Sequence, residues 1–88
     1  RRSAMSLHLI FSRQGLASCL PRRQSEDPIV VFGDGVYALL ENDIECFVLK
    51  EDAIARGIPV NSNTAHAIDY AEVVKLTLNH SPIVSWAD

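Results

Sequence analysis

Short apolar runs and polar gaps alternate along the chain, and this pattern predicts strands that alternate with helices. The predicted strands are rich in β-branched and aromatic side chains, as strands usually are. In chain order they are residues 7–11, 29–32, 46–49, 67–68 and 83–86. The runs are mostly apolar at consecutive positions instead of at every second position. That pattern favours parallel strands covered on both faces.

The first two gaps carry helix start and stop signals. Ser12 can cap a helix that runs to Leu20, and Pro21 should end or kink it because proline lacks the backbone donor. Asp34 lies between two glycines that permit a tight turn, and it can cap a helix over residues 36–40. We therefore expect a helix after each of the first two strands.

The next two gaps carry similar signals. A short helix over residues 51–57 opens on two carboxylates and closes on Arg56 and Gly57, in agreement with the helix dipole and with glycine at the C-terminal position. Asp69 can cap the longest predicted helix, residues 70–79. Strands and helices thus alternate to the end of the chain.

This alternation predicts an α/β fold: a single three-layer α/β/α domain with a mostly parallel sheet of about five strands, as in flavodoxin-like folds. We expect residues 5–88 to form the domain. Residues 1–4 show no such pattern, and we expect them to be an unrelated remnant ahead of a native start at Met5. In sheets of this kind, ligand-binding and catalytic residues usually lie beyond the carboxyl ends of the strands.

Composition narrows the classes of function. The chain has 88 residues, of which 48% are hydrophobic, and its formal net charge is −3, or −5 without the two leading arginines. An acidic domain does not attract nucleic acid through its overall field. Arg22 and Arg23, joined by Arg13, are the basic candidates, and such a group is more typical of a solvated loop. The apolar runs are too short to cross a bilayer or to act as a signal peptide.

The chain contains two cysteines, Cys19 and Cys46, and no secretion signal, so we expect free thiols. The cysteine spacing and the dispersed histidines do not suit a zinc site. The glycine turn at residues 33–35 lacks the Gly-x-Gly-x-x-Gly arrangement of dinucleotide sites. We therefore expect neither a metal nor a cofactor. Cys46 lies inside an apolar strand, where a structural role is expected.

Three stretches resemble the TusB/DsrH family. They are the Asp-Gly-Val turn in residues 32–39, the Asp-x-x-Ala-Arg-Gly pattern in residues 48–57, and the helix opening in residues 68–77, which Trp86 follows near the end. Each motif is weak when taken alone. Their order, spacing and total length together make a fairly specific resemblance that extends from Leu7 to Trp86.

The resemblance implies a cytoplasmic subunit of a hetero-oligomer with two paralogous partners, TusC and TusD, or DsrF and DsrE. Such complexes pass sulfur as a cysteine persulfide. The sulfur goes to the wobble uridine of tRNA as 2-thiouridine in one branch, and into dissimilatory sulfur oxidation in the other. The main sulfur-carrying cysteine lies on the TusD or DsrE partner. The resemblance therefore implies a non-catalytic subunit that makes no direct contact with nucleic acid or membrane.

The resemblance also makes Cys19 the candidate catalytic residue, because DsrH-like members carry a cysteine in the first helix. Arg22 and Arg23 follow closely, and nearby cations favour a thiolate. However, Cys19 comes late in its helix, where the dipole has weakened, and it shares an apolar spacing with Leu16 and Leu20. A persulfide carrier and a small buried hydrophobe are both open interpretations of Cys19.

The sequence shows no acid–base pair or nucleophile triad, so turnover by the isolated chain is not expected. The preferred hypothesis is a relay subunit. The alternatives are a small sulfurtransferase that acts through Cys19 and an unrelated small-ligand module on a flavodoxin-like sheet.

His8 has apolar neighbours and is expected to be a hydrogen-bonded core or interface histidine. Tyr37 and Trp86 are expected either to anchor an interface or to fill the core.

Overall fold

The structure is a computed structural model that describes residues 6–60 and 63–87. Residues 1–4 and Met5, where we expect a remnant and a native start, lie outside the described residues. The strands and helices follow one another in alternation. Their bounds are β1 (Leu7–Ile10), α1 (Arg13–Cys19), β2 (Ile29–Val31), a 3₁₀ helix (Gly33–Leu40), β3 (Cys46–Leu49), α2 (Lys50–Ala55), β4 (Ala65–Ile68), α3 (Tyr70–Asn79) and β5 (Ile83–Trp86).

The strands form one five-stranded sheet in the order β4-β3-β2-β1-β5, and every neighbouring pair is parallel. From β1 to β4 the chain steps in one direction across the sheet, and it then returns past β1 to add β5. Because crossovers between parallel strands are right-handed, the first three connecting helices lie on one face and α3 lies on the other. The predicted α/β domain with a parallel sheet is confirmed.

The first face of the sheet is closed by α1, the 3₁₀ helix and α2. Its core joins residues from these helices to the strand positions beneath them, and most of these residues are at most 2% exposed. The members are Ile10, Leu16, Cys19, Ile29, Val31, Val36, Ala38, Cys46, Val48, Ala53 and Ile58. Gly15 permits the close packing, because a Cβ atom there would lie 2.3 Å from the Trp86 carbonyl oxygen.

The second face carries a smaller core beneath α3. Val73 is the buried residue of that helix, and it packs with Leu7, Val30, Leu49 and Ile68. Four further apolar side chains on this face are only partly buried: Leu9, Phe32, Phe47 and Leu76. One helix therefore covers a face that five strands present.

Most predicted boundaries are confirmed. β3, α3 and β5 match their predicted ranges, and α1 ends before Pro21 as expected. The predicted cap Asp69 is confirmed, with its carboxylate accepting from the Glu72 N–H at 2.8 Å in a capping box. β4 begins two residues earlier than predicted, at Ala65.

The helix expected after Asp34 is wrong in type and in its cap. A 3₁₀ helix begins directly after Phe32 without a side-chain cap, and Gly33 enters it with a φ of 52°. A Cβ atom at Gly35 would lie 2.9 Å from the Ile10 carbonyl oxygen, so the helix passes close to the end of β1. Asp34 instead pairs with Arg56 at 3.1 Å. The carboxylate is therefore used for a long-range contact rather than for capping.

Candidate functional site

At the carboxyl ends of the strands, where functional residues were expected, polar groups form hydrogen bonds with one another. The Gly33 N–H donates to Asp52 Oδ2 at 2.7 Å, and Arg56 Nε donates to Asp34 Oδ1 at 3.1 Å. Beside them the rings of Phe11 and Phe32 stack with centroids 5.1 Å apart. This end of the sheet brings together an ion pair and an aromatic pair, and neither of the two cysteines lies there.

Cys19 lies away from the carboxyl ends of the strands and next to the segment that precedes β2, where the Arg23 N–H donates to its carbonyl oxygen at 3.0 Å. The helix α1 runs back along the sheet, and Cys19 is its last residue. The side chain is fully buried in the first-face core. Burial raises the pKa of the Cys19 thiol; Arg23 lowers that pKa in part, and the charge of Asp27 raises it. A buried, protonated thiol is neither reachable nor nucleophilic.

Cys46 occupies the same core and is 3% exposed. Burial raises the pKa of the Cys46 thiol to about 11; Glu45 adds to this rise and Arg23 opposes it. Both cysteines are free thiols in the structure. Near neutral pH each is therefore a small apolar side chain within the packed face, as the sequence predicted for Cys46.

Near the amino ends of β1 and β2 the structure buries two titratable side chains together, His8 and Asp27, each 5% exposed. His8 Nε2 lies 3.0 Å from Asp27 Oδ2, and the Trp86 indole N–H donates to His8 Nδ1 at 3.0 Å. The expectation of a hydrogen-bonded histidine is confirmed. Asp27 was missed, because nothing in its polar neighbourhood distinguishes it from the exposed Glu26 beside it.

One flank of α3 exposes large apolar side chains. Tyr70, Val74 and Leu78 are spaced four residues apart and are 67%, 41% and 79% exposed, so they form one row along the helix. We call this row the α3 face. On the same side of the sheet, Phe11 and Ile83 are 40% and 44% exposed. Grouped exposed apolar side chains are typical of surfaces that bind another molecule.

Outside these regions some polar side chains form pairs. A depression of about 610 Å³ beside residues 39–44 contains Glu41, which pairs with Arg13, and Asp43, which accepts from Thr64 Oγ1 at 2.7 Å. Within residues 6–60 and 63–87, no three side chains of His, Cys, Asp or Glu are grouped as metal ligands. None of the described helices is long and apolar enough to span a bilayer.

The fold and its surfaces define a class of protein: a small parallel α/β domain with buried free thiols and an exposed apolar helix flank. Comparison with known proteins agrees. The family described as "DsrH like protein" matches residues 10–83. The proteins named TusB from Yersinia pestis (strain Pestoides F) and from Yersinia pseudotuberculosis (serotype O:1b, strain IP 31758) are each 38% identical over 82 residues, an alignment that covers 81% of this chain and 86% of each relative.

The chain therefore belongs to the DsrH-like family, which includes the TusB proteins. This confirms the resemblance seen in the three motifs, and with it the general role of a sulfur-relay subunit. The hypothesis of an unrelated small-ligand module is no longer needed.

Proposed function

We propose that this chain is a TusB-type subunit that assembles with TusC- and TusD-like paralogues in the cytoplasm. The complex would deliver persulfide sulfur for 2-thiolation of the wobble uridine of tRNA. The observation that carries this proposal is the similarity to proteins named TusB, at 38% identity over 81% of the chain. The DsrH-like role in dissimilatory sulfur oxidation is the alternative outcome.

In this proposal the chain contributes a surface, and a partner subunit carries the sulfur. Cys19 and Cys46 are buried and their pKa values are raised, which supports a role without a thiolate. The α3 face offers three exposed apolar side chains on a rigid helix, and a paralogous subunit is its proposed occupant. The buried centre of a subunit interface is apolar, and tyrosine is enriched among the residues that supply most of the binding energy.

The role of Cys19 as a persulfide carrier stays a prediction. It would require the Cys19 thiolate to attack the outer sulfur of a donor persulfide while the donor leaves as a thiolate. In the present fold, α1 would have to open before a donor could reach Cys19, because the side chain is fully buried. Burial therefore favours the structural interpretation of Cys19.

Two measurements test the assignment. A tagged copy purified from its own host should bring down two paralogous subunits, and deletion of the gene should remove 2-thiouridine from tRNA digests. Purification of the chain without either paralogue would contradict the assembly. Assembly combined with undiminished 2-thiouridine would contradict the tRNA branch and favour the sulfur-oxidation branch.

Complementation with Cys19→Ser separates the two roles of the cysteine. If the chain serves as a surface, the variant restores tRNA thiolation to the wild-type level. A variant that assembles normally but restores no thiolation would assign the carrier role to Cys19. Cys46→Ser is the matched control, because it makes the same change in the same core.

A further inference from the structure

The buried side chains of His8 and Asp27 and the partly buried Trp86 form a group that we call the His8 triad. The relay function proposed above does not use it. The two side-chain contacts of His8 span 78 and 19 residues of sequence and are both 3.0 Å long. They join the end of β5 to the second residue of β1 and to the segment that precedes β2. The triad thus ties together three separate parts of the chain.

The contacts determine where the imidazole proton lies. An indole N–H can only donate, so the Nδ1 atom that it contacts must be without a proton. The proton of neutral His8 is therefore on Nε2, where it is donated to the Asp27 carboxylate. Asp27 also accepts from the Gln24 N–H at 3.0 Å. All three side chains of the triad are satisfied only when His8 is neutral.

A second proton on His8 would change one contact and keep the other. The Nε2–H bond to Asp27 would become charge-assisted and stronger. At Nδ1, two N–H groups would face each other, so the Trp86 indole would have to leave. Trp86 is only partly buried.

The surroundings of His8 are compatible with such a step. The charged group in contact with His8 is Asp27, from the segment between α1 and β2. Asp27 has Arg23 of the same segment, the Cys19 thiol of α1, and Glu45 and Cys46 around it. Arg23 donates to the main-chain oxygen of Asp27 at 2.8 Å, which leaves the Asp27 carboxylate to compensate an imidazolium. β2 and β5 place apolar residues opposite His8 in the sheet register.

The strand β5 is the element that this step would release. Its neighbour in the sheet is β1, and none of its four side chains is buried. The bond from Trp86 to His8 anchors it through a side chain. The packing of Trp86 against the first-face core and backbone bonds such as Phe11 N–H to the Trp86 carbonyl, 3.0 Å long, also hold it.

We propose that the His8 triad is a proton-operated switch: protonation of His8 displaces the Trp86 indole and loosens β5 at the edge of the sheet. This device does not depend on the identity of the sulfur acceptor or of the partner subunits.

The test uses the intact protein, in which Trp86 is the single tryptophan. His8 protonation is followed by ¹⁵N NMR of its ring, and Trp86 fluorescence is recorded over the same acid titration. Emission should shift to longer wavelength in step with the His8 signal. His8→Gln should lose this response. His66→Gln should keep it, because His66 is an exposed histidine paired with Glu45 on the far strand β4.

Hydrogen exchange supplies a second readout in the unmodified protein. The protection of the Phe11 amide, which bonds to Trp86, should fall about fivefold when His8 is protonated, as expected for the loss of one hydrogen bond. The Phe32 amide, which bonds to Ile10 at 2.8 Å on the other side of β1, should keep its protection. An Nδ1-protonated tautomer at neutral pH, or a charged His8 with unchanged Trp86 emission, would overturn the proposal even if His8→Gln fails to fold.

Discussion

The face of the sheet that carries α1, the 3₁₀ helix and α2 is closed, whereas the face that carries α3 is covered only in part. On the closed face, residues such as Ile29, Val31 and Val48 are at most 1% exposed. On the open face, Phe11 and Ile83 are 40% and 44% exposed. The chain order explains the difference, because three of the four crossovers place their helices on the first face.

The two faces contribute to different properties: the closed face to folding stability, and the open face to the assembly proposed above. The closed face buries most of the core and keeps both cysteines protonated within it. The open face retains apolar area that a small domain would normally bury, and a partner subunit can cover it. Under the function proposed above, docking would use the α3 side, while the closed face supplies most of the folding stability.

The largest expected effect is on the closed face. Ile29→Ala should lower the free energy of unfolding by about 2–5 kcal/mol, because it leaves a cavity in a packed core. Leu78→Ala removes an apolar side chain from the α3 face, which is 79% exposed at that position, and should change stability by less than about 0.5 kcal/mol. Urea denaturation measures both. Equal losses would contradict the division between the faces.

The Cys46 thiol should make the closed face sensitive to alkali. Its pKa is raised from 9.0 to about 11 in the folded state, so the stabilisation is present below pH 9 and is lost as the pH rises to 11. The loss should be at most about 2–3 kcal/mol, by linkage at 1.36 kcal/mol per pKa unit. Stability curves at several pH values measure it.

Cys46→Ala is the control for this pH dependence, because it keeps every other group that titrates in alkali. The difference in unfolding free energy between the wild-type protein and the variant should narrow between pH 9 and 11. A constant difference would show that the folded state holds the Cys46 proton no more tightly than the unfolded state does.

On the open face, Leu78→Asp should weaken binding to the paralogous partner by about 30-fold or more, as expected for a charge placed at an apolar interface position. Asn79→Asp is the matched control: it adds the same charge one residue further on, on the flank that lies beside Phe47 and Leu76. Titration calorimetry with the purified partner measures both affinities. Similar losses for the two variants would move the interface away from the α3 face.

The smallest expected effects concern the two carboxylates that the sequence identified as caps. Asp69→Ala should lower stability by about 1 kcal/mol, because it removes the capping box of α3. Asp34→Ala breaks a solvent-exposed pair with Arg56 and should cost less than about 0.5 kcal/mol. Thermal denaturation of both variants tests the order, and the reverse order would restore Asp34 as a cap.

Local signals predicted most of the fold correctly. Asp69 and Pro21 act on neighbouring backbone, so their effects could be read from adjacent residues, and the ranges of β3, α3 and β5 agree with the prediction. The type of the 3₁₀ helix was not predictable in this way, because Gly35 meets the end of β1, which lies far away in sequence.

The candidate site was harder to predict than the fold. The spacing of Cys19 with Leu16 and Leu20 indicated an apolar face, but the sequence left exposure open. The side of α3 that faces solvent depends on where the helix crosses the sheet. The partners of His8 lie 19 and 78 residues away, so no local pattern contains them.

The sequence by itself determined the order of strands and helices, the parallel α/β class and the family, because these depend on local propensity, capping and motif spacing along the chain. Only the tertiary structure decided that both thiols are buried, that Asp27 and Trp86 form hydrogen bonds with His8, and that α3 leaves an apolar flank exposed. These features depend on which distant segments the crossovers bring together, and burial and charge act through space rather than along the sequence.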